Sequence, residues 1–263
     1  MLPVPTPEHP ARPSAVIVIP ARYESSRFPG KPLARIAGRP MIEHVYERAR
    51  QARGIDRVIV ATDDRRIQET VEAFGGEAVM TRPDHATGTD RIAEVAEGLT
   101  CDIVINIQGD EPLLAPEMVT QVLEALTGDA RAVMGSLRTR LVDRAEYLDP
   151  NVVKVVVDRD DTALYFSRAP IPSAREAGTA LPPHAFRHIG VYSYRRTFLP
   201  VFRSLPPTPL EQLERLEQLR ALEHGYRIRV VETSGRSIGV DTPADLAHVE
   251  QLLAARSEAA PAG

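Results

Sequence analysis

The sequence predicts a doubly wound α/β fold, and three observations carry that expectation. Short β-branched runs alternate with amphipathic segments through the first half of the chain. The runs are apolar without alternation, as in Val16-Ile17-Val18-Ile19 and Ile103-Val104-Ile105, the pattern of parallel strands covered by helices on both faces. The composition, 43% hydrophobic and 26% charged over 263 residues, supplies an ordinary globular core.

The first strand is expected at 15–20 and the first helix at 41–51. A strand at 57–62 precedes a helix at 64–74, a strand at 77–80 a helix at 89–97, and a strand at 102–107 a helix at 115–126. Then the pattern changes. Segments 132–139, 152–157, 163–167 and 189–194 read as strands with little helix between them, which predicts antiparallel additions to a mostly parallel sheet. The stretch 169–183 is rich in Pro, Gly and Ala and reads as an exposed loop. A helix is expected over 210–223, a strand over 227–231, and a last helix from Pro243, whose fixed φ suits a first turn. Prolines at 3, 5, 7, 10 and 13 make 1–14 a disordered Pro-rich arm, unlike the apolar core of a signal peptide. Residues 256–263 are expected to form a flexible tail, which leaves 15–255 as a single domain.

A net charge of −4 provides no global basic field, so neither nucleic acid nor a membrane surface is an expected partner and any anion site must be local. No stretch approaches the roughly 18 apolar residues of a membrane span. Lys31 and Lys154 are the only lysines among 32 basic residues, which singles both out. The lone cysteine, Cys101, excludes an internal disulfide and any Cys-based zinc cluster; a core role and a reducing, cytoplasmic location are expected.

In open α/β sheets ligands bind beyond the carboxyl ends of the strands. After the first strand comes Pro20-Ala21-Arg22-Tyr23-Glu24-Ser25-Ser26-Arg27-Phe28-Pro29-Gly30-Lys31-Pro32, with three cations and a turn, suited to a polyphosphate. It has neither the glycine spacing of a dinucleotide fingerprint nor that of a P-loop, and Pro32 stands where a P-loop needs Ser or Thr. After the fourth strand comes Gln108-Gly109-Asp110-Glu111-Pro112, and later Ile238-Gly239-Val240-Asp241-Thr242-Pro243. In a doubly wound fold both would face one crevice. Asp110 and Asp241 could then hold magnesium, which takes one or two carboxylates together with phosphate oxygens and water. Read alone, Asp241 fits a helix N-cap better. Thr87-Gly88-Thr89-Asp90-Arg91 precedes a helix, where capping and ligand binding are equally good readings. His184 and His188 have a spacing that suits zinc on a helix, but Pro182 and Pro183 before them and the β-rich run after argue against a metal pair.

These motifs, together and in this order, resemble the 3-deoxy-manno-octulosonate (KDO) cytidylyltransferase family, also called CMP-KDO synthetases, over about residues 15–252. Further matching segments are Asn151-Val152-Val153-Lys154, Phe166-Ser167-Arg168, Arg187-His188-Ile189-Gly190-Val191-Tyr192 and Leu216-Glu217-Gln218-Leu219-Arg220. The resemblance implies a Rossmann-like nucleotidyltransferase fold, with a mostly parallel central sheet flanked by helices and an antiparallel β-rich extension used for sugar binding and dimerisation. It implies a homodimer that uses magnesium to make CMP-KDO and pyrophosphate from CTP and KDO. By the same resemblance, Arg22, Lys31, Asp110 and Asp241 would be catalytic. Arg22, Arg27 and Lys31 would hold the triphosphate; Ala21, Thr87, Gly88, Thr89 and Gln108 would complete the CTP site. Arg168, His188, Tyr192, Glu217 and Gln218 would bind KDO, and Asp110 and Asp241 the metal. The segment 173–185 is shorter and less aromatic than the family pattern, which bears on the sugar lid or the dimer contacts. A cytidylyltransferase for another sugar acid and a silent nucleotide-sensing domain are the rival readings.

Overall fold

The computed structural model describes residues 12–24, 28–175, 180–235 and 237–259. In chain order, β1 (Ala15–Ala21) leads through a 3-10 turn (Lys31–Leu33) and a small hairpin, β2 (Arg35–Ile36) and β3 (Arg39–Pro40), to α1 (Met41–Arg50). The alternating half continues with β4 (Arg57–Thr62), α2 (Arg65–Ala73), β5 (Glu77–Met80), α3 (Gly88–Glu97), β6 (Ile103–Asn106) and α4 (Pro116–Thr127). Then come β7 (Met134–Arg140), α5 (Arg144–Leu148), β8 (Lys154–Val157), β9 (Ala163–Ser167) and β10 (Phe186–Arg195). The chain closes with α6 (Phe198–Ser204), α7 (Pro209–Glu214), α8 (Gln218–Glu223), β11 (Ile228–Glu232) and α9 (Pro243–Ala259).

One nine-stranded sheet runs β11-β7-β10-β6-β1-β4-β5, with β8 paired to β10 and β9 to β8. The β1, β4, β5 and β6 pairings are parallel, as is β7 with β11; β10 lies antiparallel between β6 and β7. The antiparallel addition expected from the middle of the sequence is therefore β10 with the β8–β9 pair. Alternation along β1 explains the unbroken apolar run. Ile17 and Ile19 pack into one core cluster with residues of α1, α2 and α4, while Val16 and Val18 pack into another with α3, α6 and α8. Both faces of the strand are dry, so both must be apolar.

One expected helix is corrected, and the structure adds helices that the sequence reading did not expect. The helix predicted over 210–223 is two helices, because Arg215 takes a left-handed φ of 52° and ends α7. An amphipathic pattern does not register a single left-handed residue. The sequence reading also misses α6, in which Phe198, Leu199 and Phe202 are buried and Pro200 sits in the first turn, where its missing N–H is tolerated. Within the arm expected to be disordered over 1–14, residues 12–14 are held. Arg12 Nη1 donates to the Gly54 carbonyl at 2.8 Å, and Ser14 N donates to Asp102 Oδ2 at 2.8 Å; residues 1–11 lie outside the described residues. In the tail expected to be flexible over 256–263, α9 continues to Ala259 because nothing before Pro261 breaks a helix; residues 260–263 lie outside the described residues. Cys101 is buried, as expected, and burial pushes its thiol up.

Candidate active site

The loop after β1 is shaped by its own backbone. Gly30 N donates to the Tyr23 carbonyl at 2.8 Å, and Gly30 has φ 72°, a conformation that costs a residue with a Cβ about 1–2 kcal/mol. A Cβ there would also meet the Tyr23 ring at 3.2 Å. The Arg66 guanidinium stacks 3.3 Å from the centroid of that ring. The turn delivers Lys31 to the first position of the following 3-10 helix.

Lys31 Nζ donates to Asp110 Oδ2 at 2.6 Å and to the Val240 carbonyl at 2.9 Å, and lies 3.5 Å from Asp241 Oδ1. Val240 N in turn donates to the Asp110 carbonyl at 2.9 Å. Two loops far apart in the chain are thus tied together at one cation. The capping alternative for Asp241 falls away, since Thr242 and Asp245 cap the helix instead. Asp245 N donates to Thr242 Oγ1 at 3.2 Å, and Thr242 N donates to Asp245 Oδ2 at 2.8 Å. Gly109 lets the Asp110 loop approach the end of β1, where an added Cβ would come 3.1 Å from the Pro20 carbonyl. Beside Asp110, burial first and the Asp110 charge second push the Glu111 carboxyl up to about 7, against a hydrogen bond from Ser237.

On the other side of the crevice, Thr87 caps α3. Its Oγ1 accepts from Asp90 N and its N donates to Asp90 Oδ2, both at 3.1 Å. The capping reading of this motif is therefore correct for Thr87, but Thr89 Oγ1 turns away from the helix and donates to Glu217 Oε2 at 2.6 Å. Gly88 opens α3 and lies near Pro20, whose Cγ would be 3.4 Å from an added Cβ. Ala21 ends β1 in the core; Arg22 follows it, half-buried. Gln108, also half-buried, lies just past β6. Arg27 lies outside the described residues.

A series of ring contacts runs from β9 along β10. Phe166 and His188 have centroids 4.8 Å apart, His188 and Tyr192 5.4 Å, and Tyr192 and Tyr194 6.1 Å. His188 Nε2 shares a 2.9 Å hydrogen bond with Ser136 Oγ. Burial, aided by the Arg187 charge, pushes the imidazole down to about 3, so it is neutral at ordinary pH. Burial pushes the Tyr192 phenol well above its ordinary value, with smaller contributions from Tyr194 and Glu217. Burial also raises the Glu217 carboxyl, against the Thr89 hydrogen bond and the Arg220 charge. Glu217 Oε1 and Gln218 Nε2 are buried and have no hydrogen-bond partner among the described residues, although Glu217 Oε1 lies 3.8 Å from Arg220 Nη2. Such groups cost free energy unless a ligand or water satisfies them.

The structure thus brings together Lys31, Asp110 and Asp241 in one group and Thr89, Glu217, Gln218, His188 and Tyr192 around another. A cavity of about 510 Å³, a size that suits a small metabolite, is lined by Glu111, the chain neighbour of Asp110, and by His188, but not by the other residues of either group. Arg168 is more committed than the sequence suggests: Nε donates to the Glu214 carbonyl at 2.8 Å and Nη1 to the Pro150 carbonyl at 3.0 Å. The sequence reading missed Glu111 and Tyr194 as members of the site. Tyr194 was detectable, since it shares a strand face with Tyr192 two residues earlier; the perturbation of Glu111 needs its three-dimensional surroundings. Among the described residues no group of three or more His, Cys, Asp or Glu could hold a metal ion.

A family model described as cytidylyltransferase matches residues 16–228. A 3-deoxy-manno-octulosonate cytidylyltransferase from Syntrophotalea carbinolica is 59% identical over 246 residues, covering 91% of this chain and 98% of that protein. A CMP:2-keto-3-deoxy-manno-octonic acid synthetase solved in complex with CTP is 49% identical and superposes with a TM-score of 0.88, covering 92% of this chain and 99% of that one. A 4-diphosphocytidyl-2C-methyl-D-erythritol synthase from Anaerococcus prevotii, 15% identical with a TM-score of 0.61 over 92% of this chain and 96% of its own, shares the fold alone.

Proposed function

Because the chain belongs to the cytidylyltransferase family and, within it, to the 3-deoxy-manno-octulosonate cytidylyltransferases, we propose that it transfers CMP from CTP to the anomeric hydroxyl of KDO and releases pyrophosphate. The product supplies KDO for lipopolysaccharide. The observation that carries this reading in the molecule itself is the meeting of Lys31 with Asp110 and Asp241 at the mouth of the crevice.

The donor set fits magnesium. Two carboxylates already converge on one cationic nitrogen, and magnesium needs one or two carboxylates when phosphate oxygens and water complete its shell. Asp110 and Asp241 would hold it, and it would supply charge neutralisation at the α-phosphate and ease deprotonation of the attacking hydroxyl. Arg22, Arg27 and Lys31 bind the triphosphate and offset charge on the departing pyrophosphate. Ala21, Thr87, Gly88, Thr89 and Gln108 line the cytidine. Glu217, Gln218 and Tyr192 meet the sugar hydroxyls, which satisfies the orphaned Glu217 and Gln218 atoms, while Arg168 faces the sugar carboxylate. His188, neutral from burial, serves as a hydrogen-bond partner and not as a cation. Transfer is direct and in line, with positioning and charge neutralisation as the catalytic terms. The enzyme works as a single-domain homodimer in the cytoplasm, with the β-rich extension contributing to the dimer contact.

Pyrophosphate release from purified protein tests the reading, with CTP, magnesium and KDO present and with ATP, GTP, UTP and sugar-free controls. Release is expected only with CTP and KDO together. Asp110→Asn and Asp241→Asn are each expected to lower turnover by orders of magnitude with unchanged far-UV circular dichroism; near-normal rates in either would refute the metal assignment. Release with a different sugar acid, and none with KDO, would move the error to the sugar side alone.

A further inference from the structure

Glu217 and Gln218 stand at the start of α8, immediately after the helix break at Arg215, a weak place from which to hold a ligand unless something secures it. The last residue of α7, Glu214, does so. Its Oε1 accepts from Ser167 Oγ at 2.6 Å and from the Tyr165 hydroxyl at 3.3 Å, and its Oε2 accepts from Arg168 N at 2.8 Å. Its main-chain carbonyl accepts from Arg168 Nε at 2.8 Å. One residue therefore takes four hydrogen bonds, all from the last residues of β9 and the one that follows. Burial works against the ionised form, but the bonds from Ser167, Arg168 N and Tyr165 outweigh it and hold the carboxylate below its ordinary value.

Both sides of this joint are stiff. On the strand side, fully buried Lys154 donates to three carbonyls, Asp149 at 2.9 Å, Val152 at 2.6 Å and Arg168 at 2.6 Å, which anchors the end of β9. On the helix side, Arg220 of α8 pairs with Glu211 of α7, and Glu223 Oε2 accepts from Leu210 N at 3.0 Å. α7 and α8 are thus bonded to each other, and Glu214 fastens the pair to the sheet.

From this geometry we infer that Glu214 is a positioning residue for the sugar site, setting the register between Arg168 on one side and Glu217 with Gln218 on the other. It touches no reacting atom. Its carboxylate fixes where the three sugar-binding groups stand relative to each other, and hence the affinity for the sugar acid, while the triphosphate loop and Gln108 rest on β1 and β6 and Thr89 of the CTP site touches this pair through its bond to Glu217. The inference depends on the sugar-binding reading of Arg168, Glu217 and Gln218 proposed above.

Steady-state kinetics on Glu214→Ala, Glu214→Gln and Ser167→Ala, with Glu217→Ala as control and thermal melts on each, decide it. Glu214→Ala is expected to raise KM for KDO at least tenfold while KM for CTP stays within twofold. Glu214→Gln, which keeps an acceptor for Ser167 and Tyr165, should recover part of that loss, and Ser167→Ala should show a smaller rise of the same kind. A folded Glu214→Ala with unchanged KM for KDO overturns the inference. So does a parallel rise in both KM values with a lowered Tm, the signature of a merely structural role. If Glu214→Ala does not fold, Ser167→Ala and Glu214→Gln decide alone, and unchanged KDO affinity in both overturns it. An unchanged KM for KDO in Glu217→Ala defeats the sugar-site reading itself, whereas a raised value there beside normal Glu214 variants defeats only the positioning role.

Discussion

Lys31 and Lys154 stand out equally in an Arg-dominated sequence, yet the structure uses them in opposite ways. Lys31 lies between two carboxylates at a crevice, where a cation can exchange partners with a phosphate. Lys154 is fully buried among three carbonyls, and burial pushes its ammonium down; it secures the backbone. Composition marks both and distinguishes neither, because the difference lies in what surrounds each nitrogen. His188 shows the same dependence and carries a stability prediction. Its pKa falls from the ordinary 6.5 to about 3 on folding, so the unfolded chain takes up the proton first as pH drops. Stability is therefore lost from pH 6.5 downward, and the loss levels off near pH 3 at about 5 kcal/mol in total. Urea unfolding at about pH 7.5 and about pH 4.5 should show roughly 3 kcal/mol of this loss in the unmodified protein. His188→Gln, which can still bond Ser136, should lack it; identical pH dependence in the two proteins would count against a buried neutral imidazole.

Among elements, the strands were the most legible. β1, β4 and β5 fall within a residue of the expected ranges, because an unbroken β-branched run buried on both faces has few other uses. The α7–α8 pair was the least legible. Its apolar spacing is helical throughout, and the break comes from Arg215, an exposed residue with φ 52° and no sequence signature. A left-handed conformation costs an L-residue with a Cβ about 1–2 kcal/mol, and glycine avoids that cost at some expense in chain entropy. Arg215→Gly is accordingly expected to raise Tm by roughly 2–4 °C for about 1 kcal/mol gained, with KM for KDO unchanged. A lowered Tm in calorimetry would mean that the Arg215 side chain, not its backbone, matters to the joint.

The crevice is a property of the whole molecule. Four loops reach it from β1, the start of α3, the end of β6 and the segment before α9, and each rests on the sheet through short connections. Ligand binding at such a junction ties distant parts of the chain together and should stabilise the whole. With CTP and magnesium at about a hundredfold over Kd, the gain is about 2.7 kcal/mol, or roughly 5–10 °C in Tm. Differential scanning fluorimetry should show this shift with CTP, a smaller one with UTP, and its loss on chelation with EDTA. An equal shift after chelation would mean that nucleotide binds without the metal.

The fold class, the alternating strands and helices of the first half, and family membership were readable from residues alone, because period and burial are local consequences of the chain and the motifs are contiguous. The site was readable as a set of candidates only. That Lys31 meets Asp110, 79 residues on, and the Val240 carbonyl, 209 residues on, follows from a sheet order that brings the loops together. The same packing gives the Asp241 cap to Thr242, neutralises His188, orphans the Glu217 and Gln218 atoms, and makes Glu214 a joint. Such roles depend on distances through space and on the local loss of water, and the spacing of residues along a chain specifies neither until the sheet has formed.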